Sequence, residues 1–167
     1  MGDDARMRSD RFEQLYAEHA QALSGFLIYR TGDRVLAEDL LADTFERALR
    51  ARRRFDPRKA SEKTWLYAIA LNCLRDHARR QNTEGRALER IASGPGLRSG
   101  GEIDVVSDRD LISRHLAILT DKEREAIALR FGADLTVPEI ARLTGVPLTT
   151  MEGRVYGALR KLREAME

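Results

Sequence analysis

Cysteine is nearly missing from this chain of 167 residues: Cys73 stands alone, so neither an internal disulfide nor a multi-cysteine zinc site can form. It falls inside an apolar helical pattern and reads as a reduced core thiol. Histidine is also scarce. His19, His77 and His115 lie far apart, each in a helical segment without a neighbouring Ser, Cys or carboxylate motif. Asp39 and Asp43 sit one helical turn apart, but with no histidine at suitable spacing they read as an acidic surface and not as a metal pair. A glycine-rich phosphate loop after a strand is missing too. The expectation is a protein that is not an enzyme, with no metal, no cofactor and no small-molecule substrate. Apolar runs extend only a few residues, far too short to span a bilayer. The start, Met1-Gly-Asp-Asp-Ala-Arg6, lacks the apolar core of a signal peptide. A cytoplasmic protein without membrane insertion is expected.

Aromatics make up only 6% of the chain and charged residues 34%, a balance typical of soluble helical proteins. No period-two alternation is long enough for a strand, whereas three- and four-residue spacing recurs throughout. A first helix begins near Ser9 or Asp10 and carries Phe12, Leu15, Tyr16, His19, Leu23, Phe26 and Leu27. Thr31-Gly32-Asp33 ends it and caps a second helix marked by Leu36, Leu40, Leu41, Thr44, Ala48 and Leu49. Phe55-Asp56-Pro57 breaks that helix. Ser61 caps a third, with Trp65, Leu66, Ile69, Cys73 and Leu74 on its apolar face. Ser93 to Gly101 then holds four of the twelve glycines in nine residues. A flexible segment of the length of 83–106 has an end-to-end distance of about 25–30 Å. Beyond it, Ser107 and Asp110 cap a helix with Leu111, Ile112, Leu116 and Leu119. Thr120 and Glu123 have capping-box spacing for another, bearing Ala126, Ile127, Leu129 and Phe131 and closed by Gly132. The predicted fold class is all-α: two small helical domains, 9–82 and 107–167, joined by a flexible linker over 83–106.

The C-terminal domain holds the most specific local pattern. Thr136 and Glu139 form a second capping box, Pro138 sits in the first turn where no donor is lost, and Ile140, Ala141 and Leu143 give an apolar side. Gly145 supplies the left-handed residue of a tight turn. Pro147 then opens a helix whose stripe is Met151, Val155, Leu159 and Leu162. This is the packing pattern of a helix-turn-helix, with the second helix placed to lie in a DNA major groove.

Net charge is only +2, yet its distribution is uneven. Asp33 to Glu46 holds five acidic residues against one basic, and Arg47 to Lys63 eight basic against two acidic. A helix with an acidic front and a basic back can address two partners of opposite sign. The third helix combines Lys63, Trp65, Tyr67, Asn72, Arg75, Arg79 and Arg80. Aromatic, amide and guanidinium groups together suit unpaired bases, where stacking contributes about 1–3 kcal/mol per base. Trp65 taken alone reads better as core. Asn72 and the three arginines, taken as a group, read as a nucleic-acid surface.

The run Ala37-Glu-Asp-Leu-Leu-Ala-Asp-Thr-Phe-Glu-Arg-Ala-Leu49, then Arg54-Phe-Asp-Pro57, then Thr64-Trp-Leu-Tyr-Ala-Ile-Ala-Leu-Asn72, followed by a linker and the helix-turn-helix, resembles the extracytoplasmic-function (ECF) sigma factors of the sigma-70 family. The resemblance covers about Phe12 to Glu164. It implies that Asp39, Leu40, Asp43, Phe45, Glu46 and Arg47 contact the clamp of the largest subunits of core RNA polymerase. It also implies that Lys63, Trp65, Tyr67, Asn72, Arg75, Arg79 and Arg80 hold the minus-ten promoter element as unpaired strand. Thr136, Thr149, Thr150, Glu152, Arg154, Tyr156, Arg160 and Lys161 are the implied contacts to duplex DNA at the minus-thirty-five element. Glu152 could accept from a cytosine amino group there. An anti-sigma factor is implied as a further partner. Glu62 and Leu49 stand where family members often carry aromatics, and Glu152 and Gly157 where they often carry basic residues. Two rival readings remain from the residues alone, a free-standing DNA-binding regulator and an adaptor that binds only protein.

Overall fold

The structure is a computed structural model that describes the backbone of residues 2–84 and 114–167 and the side chains of 10–83 and 114–167. The expected linker over 83–106, apart from the end of a helix at Glu84, and the helix start at Ser107 to Ile112 lie outside the described residues. Among the described residues every regular element is helical. The chain divides into two compact units, Met1–Ile28 with Arg34–Ile91 and Tyr29–Asp33 with Ala92–Glu167.

The first unit is built from α1 (Gly2–Thr31), α2 (Arg34–Ala51), a 3₁₀ turn (Arg52–Arg54) and α3 (Glu62–Glu84). α1 starts earlier than its apolar spacing suggested. It stops where Gly32 takes φ 64°, and the Asp33 N–H donates to the Thr31 hydroxyl at 3.2 Å. Leu15, Leu23, Phe26 and Leu27 of α1 meet Ala37, Leu40, Phe45 and Ala48 of α2 and Leu66, Tyr67, Ala70, Leu71 and Cys73 of α3 in the core. Thr44 is fully buried among them, and its hydroxyl donates to the Leu40 carbonyl at 2.7 Å, so no polar group is stranded. Tyr16 and Leu49, expected inside, are 50% and 40% exposed. Tyr16 lies over Phe45 with ring centroids 4.7 Å apart and shields one side of it from water. α3 begins as expected, with the Thr64 N–H donating to the Ser61 hydroxyl at 3.1 Å.

In the second unit residues 114–117 are helical, followed by α4 (Asp121–Ile127), a π turn (Ala128–Gly132), α5 (Val137–Thr144) and α6 (Leu148–Met166). Both capping boxes form: the Glu123 and Glu139 N–H groups donate to the hydroxyls of Thr120 and Thr136, and each carboxylate accepts from its cap's backbone N–H. The end of α4 departs from expectation. The chain widens into a π turn, Gly132 does not take positive φ, and Asp134 does, at 54°. Aspartate tolerates that conformation better than most residues because its short side chain bonds locally. The wider turn leaves Phe131, expected on the apolar face, 56% exposed while Leu129 and Leu135 are fully buried. On α6 the buried stripe is Met151, Val155 and Ala158, with Leu159 and Leu162 only half-buried, a shift of one residue from the expected pattern.

The turn of the helix-turn-helix is the sharpest local feature. Gly145 has φ 70° and ψ 19°, and the N–H groups of Gly145 and Val146 both reach the Ala141 carbonyl, which closes α5. A Cβ added at Gly145 would meet nothing within 4 Å, so only the backbone conformation demands glycine there. Gly145→Ala should therefore destabilise the second unit by about 1–2 kcal/mol, the cost of a left-handed residue. Gly145→Asn should cost less. Thermal unfolding followed by circular dichroism measures both, and equal losses for the two would contradict this account of the turn.

Candidate nucleic-acid interface

Residues 65, 72, 76 and 79 of α3 follow one another at spacings of seven, four and three, which places Trp65, Asn72, Asp76 and Arg79 along one side of the helix. Asn72, Arg75, Arg79 and Arg80 are exposed, and Lys63 is partly so. Trp65 is half-buried, its ring 5.1 Å from that of Phe55 at a tilt of 47°. Both rings line a groove of about 860 Å³ together with Phe12, Arg52 and Arg53, and with the acidic Asp10 and Glu62, so apolar faces and charges of both signs border the same space. Tyr67 does not belong to this surface. It is 1% exposed and its ring packs against Phe26 at 5.4 Å, so its expected role in base stacking is corrected to a core role. The reason is angular: two residues along a helix turn a side chain by about 200°. Burial pushes the Tyr67 phenol up to about 12.

α2 exposes fewer of the residues read as partner contacts than expected. Asp39 and Glu46 are exposed, and Glu46 accepts from Arg50 at 2.6 Å. Leu40 and Phe45 are only 5% and 6% exposed, so their assignment as polymerase contacts is corrected: they hold the core of the first unit. Arg47 is turned towards α3. Its Nη1 donates to Asp76 Oδ2 at 2.8 Å, while Nε and Nη2 lie 3.3 and 3.1 Å from the Asp43 oxygens. Hydrogen bonding to Asp76 holds the guanidinium above its ordinary range, and the same bond holds the Asp76 carboxyl below the usual carboxylate value. Sequence reasoning missed Asp76. Its position one turn after Asn72 was the available signal.

In the second unit, α6 places Thr149, Thr150, Tyr156 and Arg160 in exposed positions, with Glu152 and Arg154 half-buried. Thr136 is exposed, but its hydroxyl is engaged in the capping box, donating to Glu139 at 2.9 Å. The Lys161 Nζ donates to both Glu123 oxygens, at 2.9 and 3.0 Å, which ties α6 to α4. No group of His, Cys, Asp and Glu suited to a metal occurs among the described residues, and no helix among them is long and apolar enough to cross a membrane.

A helical unit with an aromatic-and-arginine stripe, paired with a helix-turn-helix unit, defines a two-module nucleic-acid-binding protein. The comparisons with known proteins make that class specific. The family model for sigma-70 region 2 matches residues 15–84, and that for sigma-70 region 4 matches residues 115–164. The chain is 32% identical over 158 residues to RNA polymerase sigma factor CarQ of Myxococcus xanthus, covering 94% of this chain and 90% of that protein. It is 29% identical over 157 residues to the ECF RNA polymerase sigma factor RpoE of Cereibacter sphaeroides, covering 93% and 86%. Among solved structures, the sigma factor RpoE in complex with the anti-sigma factor NepR from Bartonella quintana matches with TM-score 0.70 and 26% identity, covering 93% of this chain and 96% of that one. CnrH in complex with the cytosolic domain of CnrY matches with TM-score 0.65 and 26% identity, covering 97% and 93%. The chain belongs to the sigma-70 family, in its ECF group, and so is a transcription initiation factor.

The Lys161–Glu123 tie yields a pH-dependent expectation. Burial acts to raise the Glu123 carboxyl, but the Lys161 ammonium and the Thr120 N–H outweigh it and hold it below its ordinary value. A carboxyl depressed in the folded state contributes stability above its unfolded pKa and loses it as pH falls through the folded value. Glu123→Gln should lower the melting temperature near neutral pH, and the gap from the wild-type chain should close as pH falls below the ordinary glutamate range. A gap that stays constant across the titration would show that the pair contributes nothing.

Proposed function

We propose that this sigma factor binds core RNA polymerase through the exposed acidic front of α2, around Asp39 and Glu46, and presents α3 to the unpaired strand of the minus-ten element. The observation that carries this reading is the side of α3 on which Trp65, Asn72 and Arg79 lie in register, with Arg75 and Arg80 flanking it in exposed positions. Asn72 offers both a donor and an acceptor to a base edge. The arginines neutralise phosphates. Flipping a base out of the duplex costs a few kcal/mol. Stacking returns about 1–3 kcal/mol per base, so the strand-holding surface can favour the melted state without nucleotide hydrolysis by this subunit. The protein thus acts as a specificity subunit and not as an enzyme, and its place of action is the cytoplasm.

α6 is proposed to enter the major groove of the minus-thirty-five element, with Thr149, Thr150, Arg154, Tyr156 and Arg160 reaching bases or phosphates and Glu152 available to a cytosine amino group. An anti-sigma factor is proposed as the negative regulator. Support comes from the structural relative solved in complex with the anti-sigma factor NepR.

Run-off transcription with purified core enzyme tests the whole reading: this chain should confer initiation at its own promoters, and no stimulation at any promoter would end it. Arg160→Ala should weaken holoenzyme binding to minus-thirty-five duplex and lower the salt slope of binding by about one, as loss of a phosphate contact does. An unchanged slope would place Arg160 off the DNA.

A further inference from the structure

We infer that Arg47 serves the DNA-holding face of the first unit, masking the Asp76 carboxylate so that the α3 stripe stays positive. This rests on the reading of α3 as the strand-holding helix, and it replaces the expectation that Arg47 touches polymerase. Between Lys63 and Thr83, Asp76 is the only acidic residue. It stands one turn after Asn72 and one turn before Arg79 and Arg80, in the middle of a surface meant for phosphates. An unmasked carboxylate there would repel the strand. It would also draw in Arg79 and Arg80, whose charges already act on it, and take them from phosphates.

Arg47 prevents both effects by geometry. Its Nη1 donates to Asp76 Oδ2 at 2.8 Å across the helix pair, while Nε and Nη2 are fixed by Asp43 one turn back on α2. A planar guanidinium held on two sides is already oriented before DNA arrives, and charge-assisted bonds of this kind are stronger than neutral ones. All three side chains remain about a third exposed, at 33%, 39% and 37%, so the group lies at the surface where a bound strand can sense its charge. Asp43 and Arg47, both expected to meet polymerase, are thereby explained as the support for a residue on the neighbouring helix.

The test uses holoenzyme assembled from the full chain and core polymerase, with a fluorescein-labelled, random-sequence single-stranded DNA pool as probe and anisotropy as readout. Arg47→Ala should weaken strand binding by about 5- to 10-fold, because one cation is lost and two anions, Asp76 and Asp43, are uncovered. Affinity for core polymerase should stay unchanged. Adding Asp76→Asn to Arg47→Ala should restore most of the lost strand binding, since the acid on the α3 stripe is then gone and only Asp43, on α2, is left bare. That double variant also carries no unpaired Asp76 charge, so it guards against a single variant that fails to fold, and thermal melting checks both. Loss of polymerase affinity in Arg47→Ala, or failure of Asp76→Asn to rescue, would overturn the inference. So would a collapse of strand binding in Asp76→Asn alone, which would make the carboxylate itself a contact. Arg79→Ala and Arg80→Ala separate the two levels: if neither weakens strand binding the underlying reading of α3 fails, and if they do while Arg47→Ala does not, only the masking role fails.

Discussion

The packing of α2 against α3 is the constraint on which the first unit depends. One helix must carry an acidic outer face and the other an arginine-rich one, yet the two have to share a core. Small buried residues on both sides, Ala37 and Ala48 on α2 and Ala70 and Cys73 on α3, are between 0% and 1% exposed and let the backbones approach. Close approach brings opposite charges within reach, and the Arg47–Asp76 bond is the result. Helices held at that distance cannot slide without uncovering the fully buried Leu66 and Ala70, so the spacing between the two faces is fixed by the interior.

The second unit solves a different problem with little material. α5 has eight residues, too few to be stable alone, and is held at both ends: by the Thr136–Glu139 box at its start and by the left-handed Gly145 at its finish. Ile140 and Ala141 are its buried residues, and they meet a core that α6 supplies from Met151, Val155 and Ala158. A helix fixed by its ends leaves α6 free of loop constraints along its exposed side. The Lys161–Glu123 bond then sets the far end of α6 against α4. On the proposed reading of α6 as the helix that enters the major groove, this rigidity matters, since its side chains would carry information only if their positions were settled beforehand.

Local features were legible in the sequence where one residue type has one physical use. Both capping boxes, the turn glycine and the Ser61 cap were readable because each rests on neighbours within four positions. Asn72, Arg75, Arg79 and Arg80 were grouped by residue type alone; their exposure on α3 came from the fold. What failed did so for identifiable reasons. Tyr67, Leu40 and Phe45 were grouped with partner contacts by residue type and family position, although their angle on the helix turns them inward. The α6 stripe favoured the larger Leu159 over Ala158, whose small side chain is the one that fits beneath. The π turn at Ala128–Gly132 carries no signature of its own. Lys161 and Glu123 are 38 positions apart, and Arg47 and Asp76 are 29 apart, so neither pairing could be found without the fold.

The modest net charge of +2 gains a meaning from these pairings. Arg47, Arg50 and Lys161 are neutralised within the protein, which leaves Arg75, Arg79 and Arg80 on α3 and Arg154 and Arg160 on α6 as the cations best placed for DNA. Counterion release scales with the number of phosphates met, so a handful of cations split between two units gives each only a weak hold. On the proposed reading that weakness is useful: neither unit would occupy DNA unaided, and binding would become strong only when one partner engages both at once and turns the second contact into an intramolecular event. The acidic front of α2 reinforces the same logic, because a surface that repels phosphate and attracts a basic protein makes association with that protein the step that precedes DNA binding.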